Sequence, residues 1–328
     1  MLSVEDVFGA AQRSQGVAVR TPVLTSRTLD DLVGASVFLK AECFQRAGAF
    51  KFRGAYNALS MLDRAERARG VFSASSGNHA QAVALSGQLL SIQVTVLMPQ
   101  DAPAAKVSAT KGYGAKIVFF DRYREDRDAL QRQLGEQGGH VIVPAYDYYP
   151  VMAGQGTTAL EVSEQVPRLD AFLVPVSGGG LAAGCATYLK TVRPGVQVFG
   201  VEPEAADDTR RSLEAGARVE PKVPETIADG LQAPTPGALT FEINRRLLDG
   251  VLVASEAEIV EAMRFMLERQ KLLIEPSGAV ALAALIRNRE QFQGKRVAVV
   301  LSGGNVDLGR LCRLLDCRSE AEGPPKGK

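Results

Sequence analysis

What this chain lacks narrows its chemistry first. Only two histidines, His79 and His140, occur in 328 residues, so catalysis built on several imidazoles is excluded. The four cysteines, Cys43, Cys185, Cys312 and Cys317, form no Cys-x-x-Cys pair and have no histidine nearby. That argues against a zinc site and for a reduced, cytoplasmic protein. Neither sign of charge dominates: the formal net charge is +1, with acids and bases interspersed. No nucleic-acid partner and no anionic membrane surface is implied. No apolar run approaches the roughly 18 residues of a membrane-spanning helix, and Ala279 to Ile286 is the longest clear candidate. Glu5 and Asp6 stand where a secretory signal would carry bases.

What is present centres on Ala47-Gly48-Ala49-Phe50-Lys51-Phe52-Arg53-Gly54-Ala55. Here one lysine sits between two phenylalanines, after an apolar strand-like run (36–40) and before a helix-like one (56–69). Aromatic surroundings remove hydration from an amine and lower its pKa, and a neutral amine reacts with aldehydes. The plainer alternative is a helix-start lysine snorkelling past two core rings. Beyond this stretch, short β-branched runs alternate with alanine-rich amphipathic ones. Strands are expected at 70–73, 93–98, 115–120, 140–144, 171–176, 197–201, 250–254 and 296–301. The intervening helices fall near 77–90, 104–112, 125–137, 155–166, 179–192, 207–215, 256–270 and 277–287. Such alternation predicts right-handed βαβ units and open parallel sheets covered on both faces. The length favours two domains. Residues 1–68 with 148–317 are expected to form the larger, 69–147 a smaller one inserted in it, and 318–328 a disordered tail.

Open parallel sheets bind ligands beyond the carboxyl ends of their strands, and the unusual residues of this chain fall there. Ser177-Gly178-Gly179-Gly180 feeds a helix N-terminus, where exposed amides and the helix dipole suit a phosphate. Ala183 takes the third glycine position of a dinucleotide fingerprint, so a nicotinamide site is weakened but not excluded by this run alone, and no P-loop lysine follows. Ser75-Ser76-Gly77-Asn78-His79 opens another helix with more polar groups than one N-cap needs, and suits a carboxylate. His79 by itself reads as a structural hydrogen-bonder. Glu202 with Asp207 and Asp208 suits a hard cation such as magnesium or calcium, or simply an acid-rich helix start. Arg122, Arg124 and Arg127 follow a strand at the ligand end, where Arg127 is the candidate for a second substrate carboxylate and a solvated basic helix start is the alternative.

Three strings carry a resemblance: Ser76-Gly77-Asn78-His79-Ala80-Gln81, Ser177 to Leu181, and Leu301-Ser302-Gly303-Gly304-Asn305-Val306-Asp307. Gly154-Gln155-Gly156-Thr157, Thr226-Ile227-Ala228-Asp229-Gly230 and Ile274-Glu275-Pro276-Ser277 support them. From about Thr21 to Leu311 the chain resembles the fold-type II pyridoxal-phosphate enzymes. The nearest branch is the threonine/serine dehydratases, serine racemases and hydroxyaspartate dehydratases. The resemblance implies two doubly wound open parallel-sheet domains of the tryptophan synthase β type, with pyridoxal 5'-phosphate in the cleft between them. Lys51 would carry the cofactor and move the α-proton, and Phe50 would pack on the ring. Asn78 would face the ring hydroxyl, Ser177, Gly178, Gly179 and Gly180 would cradle the phosphate, and Ser302 would face the ring nitrogen. Ser75, Ser76, Gly77 and His79 would surround the substrate carboxylate, with Ser76 the second-face acid–base group of a racemase. Glu202, the carbonyl of Ala206 and Asp208 would bind a divalent cation. Ala49 and Ser177 depart from the family's frequent serine and glycine. The resemblance further implies a homodimer with a small amino-acid substrate. The activity implied is an ammonia-lyase converting L-threonine- or L-serine-type β-hydroxy amino acids to a keto acid and ammonia. A serine racemase or 3-hydroxyaspartate dehydratase using the same site is the alternative, and a non-catalytic binding protein the distant one.

Overall fold

A computed structural model describes residues 1–75, 77–102, 104–121, 123–219 and 224–316, the side chains of Arg127 and Asp128 excepted. Ser76, Arg122 and the tail expected at 318–328 therefore lie outside the described residues. Ten strands are found among the described residues: β1 (Val23–Leu24), β2 (Ser36–Ala41), β3 (Val71–Ala74), β4 (Val94–Pro99), β5 (Lys116–Phe120), β6 (Val141–Ile142), β7 (Ala171–Pro175), β8 (Gln197–Pro203), β9 (Gly250–Ala254) and β10 (Arg296–Leu301). They form a six-stranded sheet in the order β1-β2-β10-β7-β8-β9 and a four-stranded sheet in the order β5-β4-β3-β6. Every pairing is parallel except β1 with β2. The chain thus leaves the larger sheet after β2, builds the smaller one, and returns at β7. The fold class implied by the sequence, two α/β parallel-sheet units, is what the structure has.

Alternation within the larger sheet explains its two cores. Val37, Leu39, Leu173, Val201, Val297 and Val299 face one side, against the Pro276–Arg287 helix. Phe172, Val174, Val198, Ala298 and Val300 face the other, against the Gly180–Val192 helix. Burial on both faces is why these strands read as continuous apolar runs. The smaller sheet is covered likewise, with Phe72, Ala74 and Leu97 on one face and Val71, Val94, Val96 and Met98 on the other.

Several boundaries differ from the sequence reading. The helix expected from 155 begins at Tyr149, with Pro150 in its first turn, where a proline's missing N–H costs nothing. The 256–270 helix changes to a π turn at Met266–Gln270. A helix at Ala238–Leu247 was not expected at all. No helix among the described residues is long and apolar enough to cross a membrane.

Candidate active site

Three strand ends and one helix start converge on a cavity of about 450 Å³. Lys51 is the first residue of the Lys51–Ser60 helix, and its Nζ donates to the carbonyl of Ala145 at 2.9 Å. The Phe50 ring centroid lies 5.1 Å from that amine. Phe52, by contrast, points into the core and stacks on Tyr56, so only one of the two flanking rings meets the amine. Burial lowers the Lys51 amine from its usual value to about 8. At neutral pH roughly a tenth of it is therefore uncharged and nucleophilic, far more than of a free lysine.

The Ser177–Gly180 turn leaves the end of β7. Thr240 Oγ1 donates to the Gly178 carbonyl at 2.6 Å, and Asn244 Nδ2 donates to the Gly179 carbonyl at 3.2 Å. These carbonyls are drawn toward the unexpected 238–247 helix. A trans peptide holds its N–H opposite its C=O, so the following amides turn toward the cavity. Gly179 adopts φ +92°, and a side chain at Gly178 would meet the Tyr146 ring at 2.3 Å. The loop is thus an amide-lined cradle that side chains would close. Asp147 holds the helix in register by accepting from the amides of Ala238, Leu239 and Thr240. Thr240, Asn244, Tyr146 and Asp147 were missed by the sequence reading, because nothing in their local pattern marks them.

After β3, the Ser75 Oγ accepts from the Gly77 amide, and Ser75, Gly77, Asn78 and His79 line the cavity. Burial, and then the nearby Lys51 charge, lower the His79 imidazole to about 3. It is neutral at working pH and offers hydrogen bonds without charge; its Nε2 sits 3.4 Å from the Val143 carbonyl. Ser302, after β10, is buried at the cavity wall with its Oγ donating to the Ser277 carbonyl at 3.2 Å. The cavity wall also holds two residues the sequence reading gave no role. Glu275 is 1% exposed and raised to about 7, chiefly by burial. Lys106 reaches across from the smaller unit to Asp229 at 2.6 Å. The structure thus brings together Phe50, Lys51, Ser75, Gly77, Asn78, His79, Ser177 to Gly180 and Ser302. Ser76 and the Arg127 side chain lie outside the described residues.

The acidic set lies apart, at the end of β8. Glu202 is fully buried and accepts from the amides of Thr209 and Arg210. Asp208 is 1% exposed, and neither of its carboxylate oxygens has a partner. Burial, reinforced by neighbouring carboxylates, pushes both Glu202 and Asp208 well above the usual carboxylate range. Asp207 turns away to Arg210 and Arg211 and does not join them. No three acid, histidine or cysteine side chains gather among the described residues. A cation here would be held by the two carboxylates with backbone carbonyls such as that of Ala206.

Comparison with known proteins gives a consistent result. The model of a family described as "Pyridoxal-phosphate dependent enzyme" matches residues 15–303. An L-threo-3-hydroxyaspartate ammonia-lyase from a Pseudomonas species is 50% identical over 313 residues, covering 95% of this chain and 98% of that one. An L-threonine ammonia-lyase from Thermotoga maritima is 38% identical, covering 96% and 79%. The structure of maize serine racemase superposes with a TM-score of 0.92 at 39% identity, covering 98% of each chain.

Proposed function

The chain belongs to the pyridoxal-phosphate dependent enzymes, and from that premise we propose that it is an ammonia-lyase for L-configured β-hydroxy amino acids, L-threo-3-hydroxyaspartate foremost. The observation that carries this reading is a lysine amine lowered to about 8, at the wall of a cavity that also holds a glycine amide cradle. The residues fit the cofactor. The cradle suits its phosphate, Lys51 its aldehyde, Phe50 its ring face, Asn78 its ring hydroxyl and Ser302 its ring nitrogen. When bound, the cofactor withdraws electrons from the substrate α-carbon and makes its proton acidic. The Lys51 amine accepts that proton at Nζ. Ser75, Gly77 and the neutral His79 hold the substrate carboxylate, and Ser76 and Arg127 belong to this reading as the second-face hydroxyl and a distal-carboxylate cation. Overall the α-proton and the β-hydroxyl would leave together as water, and the unsaturated amine set free in solution would take up a second water to give a 2-keto acid and ammonia. A neutral serine opposite the ring nitrogen does not enforce its protonation as a carboxylate would, which favours prompt elimination.

A panel of L-threo-3-hydroxyaspartate, L-serine and L-threonine tests the assignment, with keto acid, ammonia and D-serine followed separately. Keto-acid release with the highest kcat/KM for hydroxyaspartate is expected. Threonine turned over faster than hydroxyaspartate would defeat the substrate assignment. D-serine as the main product would make the chain a racemase.

The same reading includes a magnesium or calcium ion at Glu202, Asp208 and the Ala206 carbonyl. The two unpartnered, buried oxygens of Asp208 support it, because orphaned carboxylate oxygens are costly without a counter-charge. An ion bound only by the folded chain raises stability by mass action, about 2.7 kcal/mol at a hundredfold excess over Kd. Added magnesium or calcium should therefore raise the thermal midpoint of the unsubstituted protein and leave that of Asp208→Ala unmoved. An equal rise in both proteins would place the ion elsewhere. A homodimer belongs to this reading through the family likeness. The free thiols of Cys43, Cys185 and Cys312 support a cytoplasmic setting.

A further inference from the structure

The side-chain amide of Asn78 has two unlike edges, one donating and one accepting, and the structure determines which is used where. Asn305 Nδ2 donates to the Ala47 carbonyl at 2.7 Å and to Asn78 Oδ1 at 2.9 Å. Asn78 Nδ2 in turn donates to Glu275 Oε1 at 2.5 Å. At one end the Ala47 backbone carbonyl can only accept; at the other Glu275 accepts at Oε1, and a proton on this raised carboxyl has the unpartnered Oε2 to sit on. The Ala47 carbonyl obliges Asn305 to present its NH2 edge. The second hydrogen of that edge obliges Asn78 to present oxygen. The NH2 of Asn78 therefore lies toward Glu275, with one N–H to spare at the wall of the cavity that Asn78 lines.

The far anchor is itself held in place. Ala47 adopts a left-handed conformation, φ 56° and ψ 18°, which a non-glycine residue keeps only where its surroundings over-determine it. The surroundings here are a short antiparallel zipper, with Gly304 N donating to the Gly48 carbonyl at 2.9 Å and Phe50 N to the Ser302 carbonyl at 3.0 Å. The strain at Ala47 thus lies in the segment that places both Lys51 and the carbonyl read by Asn305.

We propose that Asn305 and Glu275 are positioning residues that lock the Asn78 amide so that an N–H, and not its oxygen, faces the ring hydroxyl of the cofactor. This rests on the reading above that Asn78 faces that hydroxyl. A donor at that point stabilises the ionised ring oxygen, and a carbonyl would repel it.

The test charges the protein with pyridoxal 5'-phosphate or with its 3-deoxy analogue, which lacks the ring hydroxyl. Release of each is followed by loss of absorbance during dialysis. Asn305→Asp sets an acceptor against both the Ala47 carbonyl and Asn78 Oδ1, and so favours the reversed amide. It should speed release of pyridoxal phosphate about tenfold and leave the analogue within about twofold of the unsubstituted protein, the scale of one lost hydrogen bond. It should also shift the absorbance maximum with pyridoxal phosphate alone. Asn305→Ala, which adds no repulsive oxygen, should act in the same sense but less. Glu275→Gln keeps an acceptor for Asn78 and should behave as the unsubstituted protein with both. Asn78→Ala separates the contact with the ring hydroxyl from the chain of hydrogen bonds that orients the amide. If it fails to distinguish the cofactor from the analogue, Asn78 does not face the hydroxyl and that reading falls, taking the proposal with it. If Asn78→Ala distinguishes them while Asn305→Asp and Asn305→Ala speed both releases equally, or neither, the orienting chain is overturned and the reading stands.

Discussion

Lys51→Ala is expected to give a folded protein without near-visible absorbance, with turnover reduced by at least roughly 10⁴-fold, the upper range for removing an acid–base group. The fold should survive because, among the described residues, the amine has one hydrogen-bond partner, the Ala145 carbonyl, and no ion-pair partner. Removing a desolvated amine also relieves a burial penalty, so the thermal midpoint should hold or rise. The pH dependence has a defined sign. The unprotonated amine is the form that attaches to an aldehyde, and burial lowers its pKa from 10.5 to about 8. The rate at which resolved protein regains absorbance on adding pyridoxal phosphate should therefore rise with pH and level off above about 8, well short of the range of a free lysine. Retained absorbance and activity in Lys51→Ala would remove the whole assignment.

Arg53→Met should cost about 3–5 kcal/mol of stability, the range for breaking a buried ion pair from one side. Two residues beyond Lys51, the Arg53 guanidinium is 1% exposed and holds two carboxylates. It donates from Nε and Nη2 to Glu42 at 2.7 and 2.8 Å, and from Nη1 and Nη2 to Glu161 at 2.7 and 2.9 Å. Lys40 completes the set, donating to Glu161 at 2.5 Å and to the Thr21 carbonyl at 2.7 Å. Two cations and two carboxylates balance out of water. Without Arg53, one buried carboxylate has no counter-charge. Adding Glu42→Gln to Arg53→Met should recover part of the loss, since an uncompensated charge is then removed. Burial alone would raise the Glu161 carboxyl, but the Arg53 hydrogen bonds and the Arg53 and Lys40 charges overcome it and hold the group low. Its contribution is therefore present above the usual carboxylate range and is lost as pH falls through the depressed value. Urea unfolding at neutral and acid pH measures both effects. A stability for Arg53→Met equal to that of the unsubstituted protein would show that the network adds nothing.

The two predictions differ in how far their residues could be read from the chain. Lys51 stands out locally, set between rings and glycines at the close of an apolar run. Arg53 does not, because a basic residue one turn into a helix reads as solvent-facing until Glu42, Glu161 and Lys40 are known to meet it. The glycine cradle divides the same way. Three adjacent glycines before a helix are visible in the sequence. The Thr240 hydroxyl and Asn244 amide that turn their carbonyls away sit some sixty residues on, in a helix that the periodicity did not announce. Phe52 shows the converse error. Its neighbour relation to Lys51 suggested a shared environment, but successive residues on a helix point about 100° apart, and Phe52 went to the core.

The sequence by itself determined the parallel α/β architecture, because strands buried on both faces and helices buried on one leave apolar periods of different length. It also marked which residues line the cavity, because glycine and serine runs at strand ends fall at the mouth of such sheets. Only the tertiary structure decided which distant side chains complete those runs. Glu275 and Asn305 reach Asn78 across separations of 197 and 227 residues, and Arg53 reaches Glu161 across 108. Hydrogen bonds and ion pairs act over about 3 Å in space and carry no signature along the chain. Their partners become known only when strands with shuffled order, such as β2, β10 and β7, lie side by side.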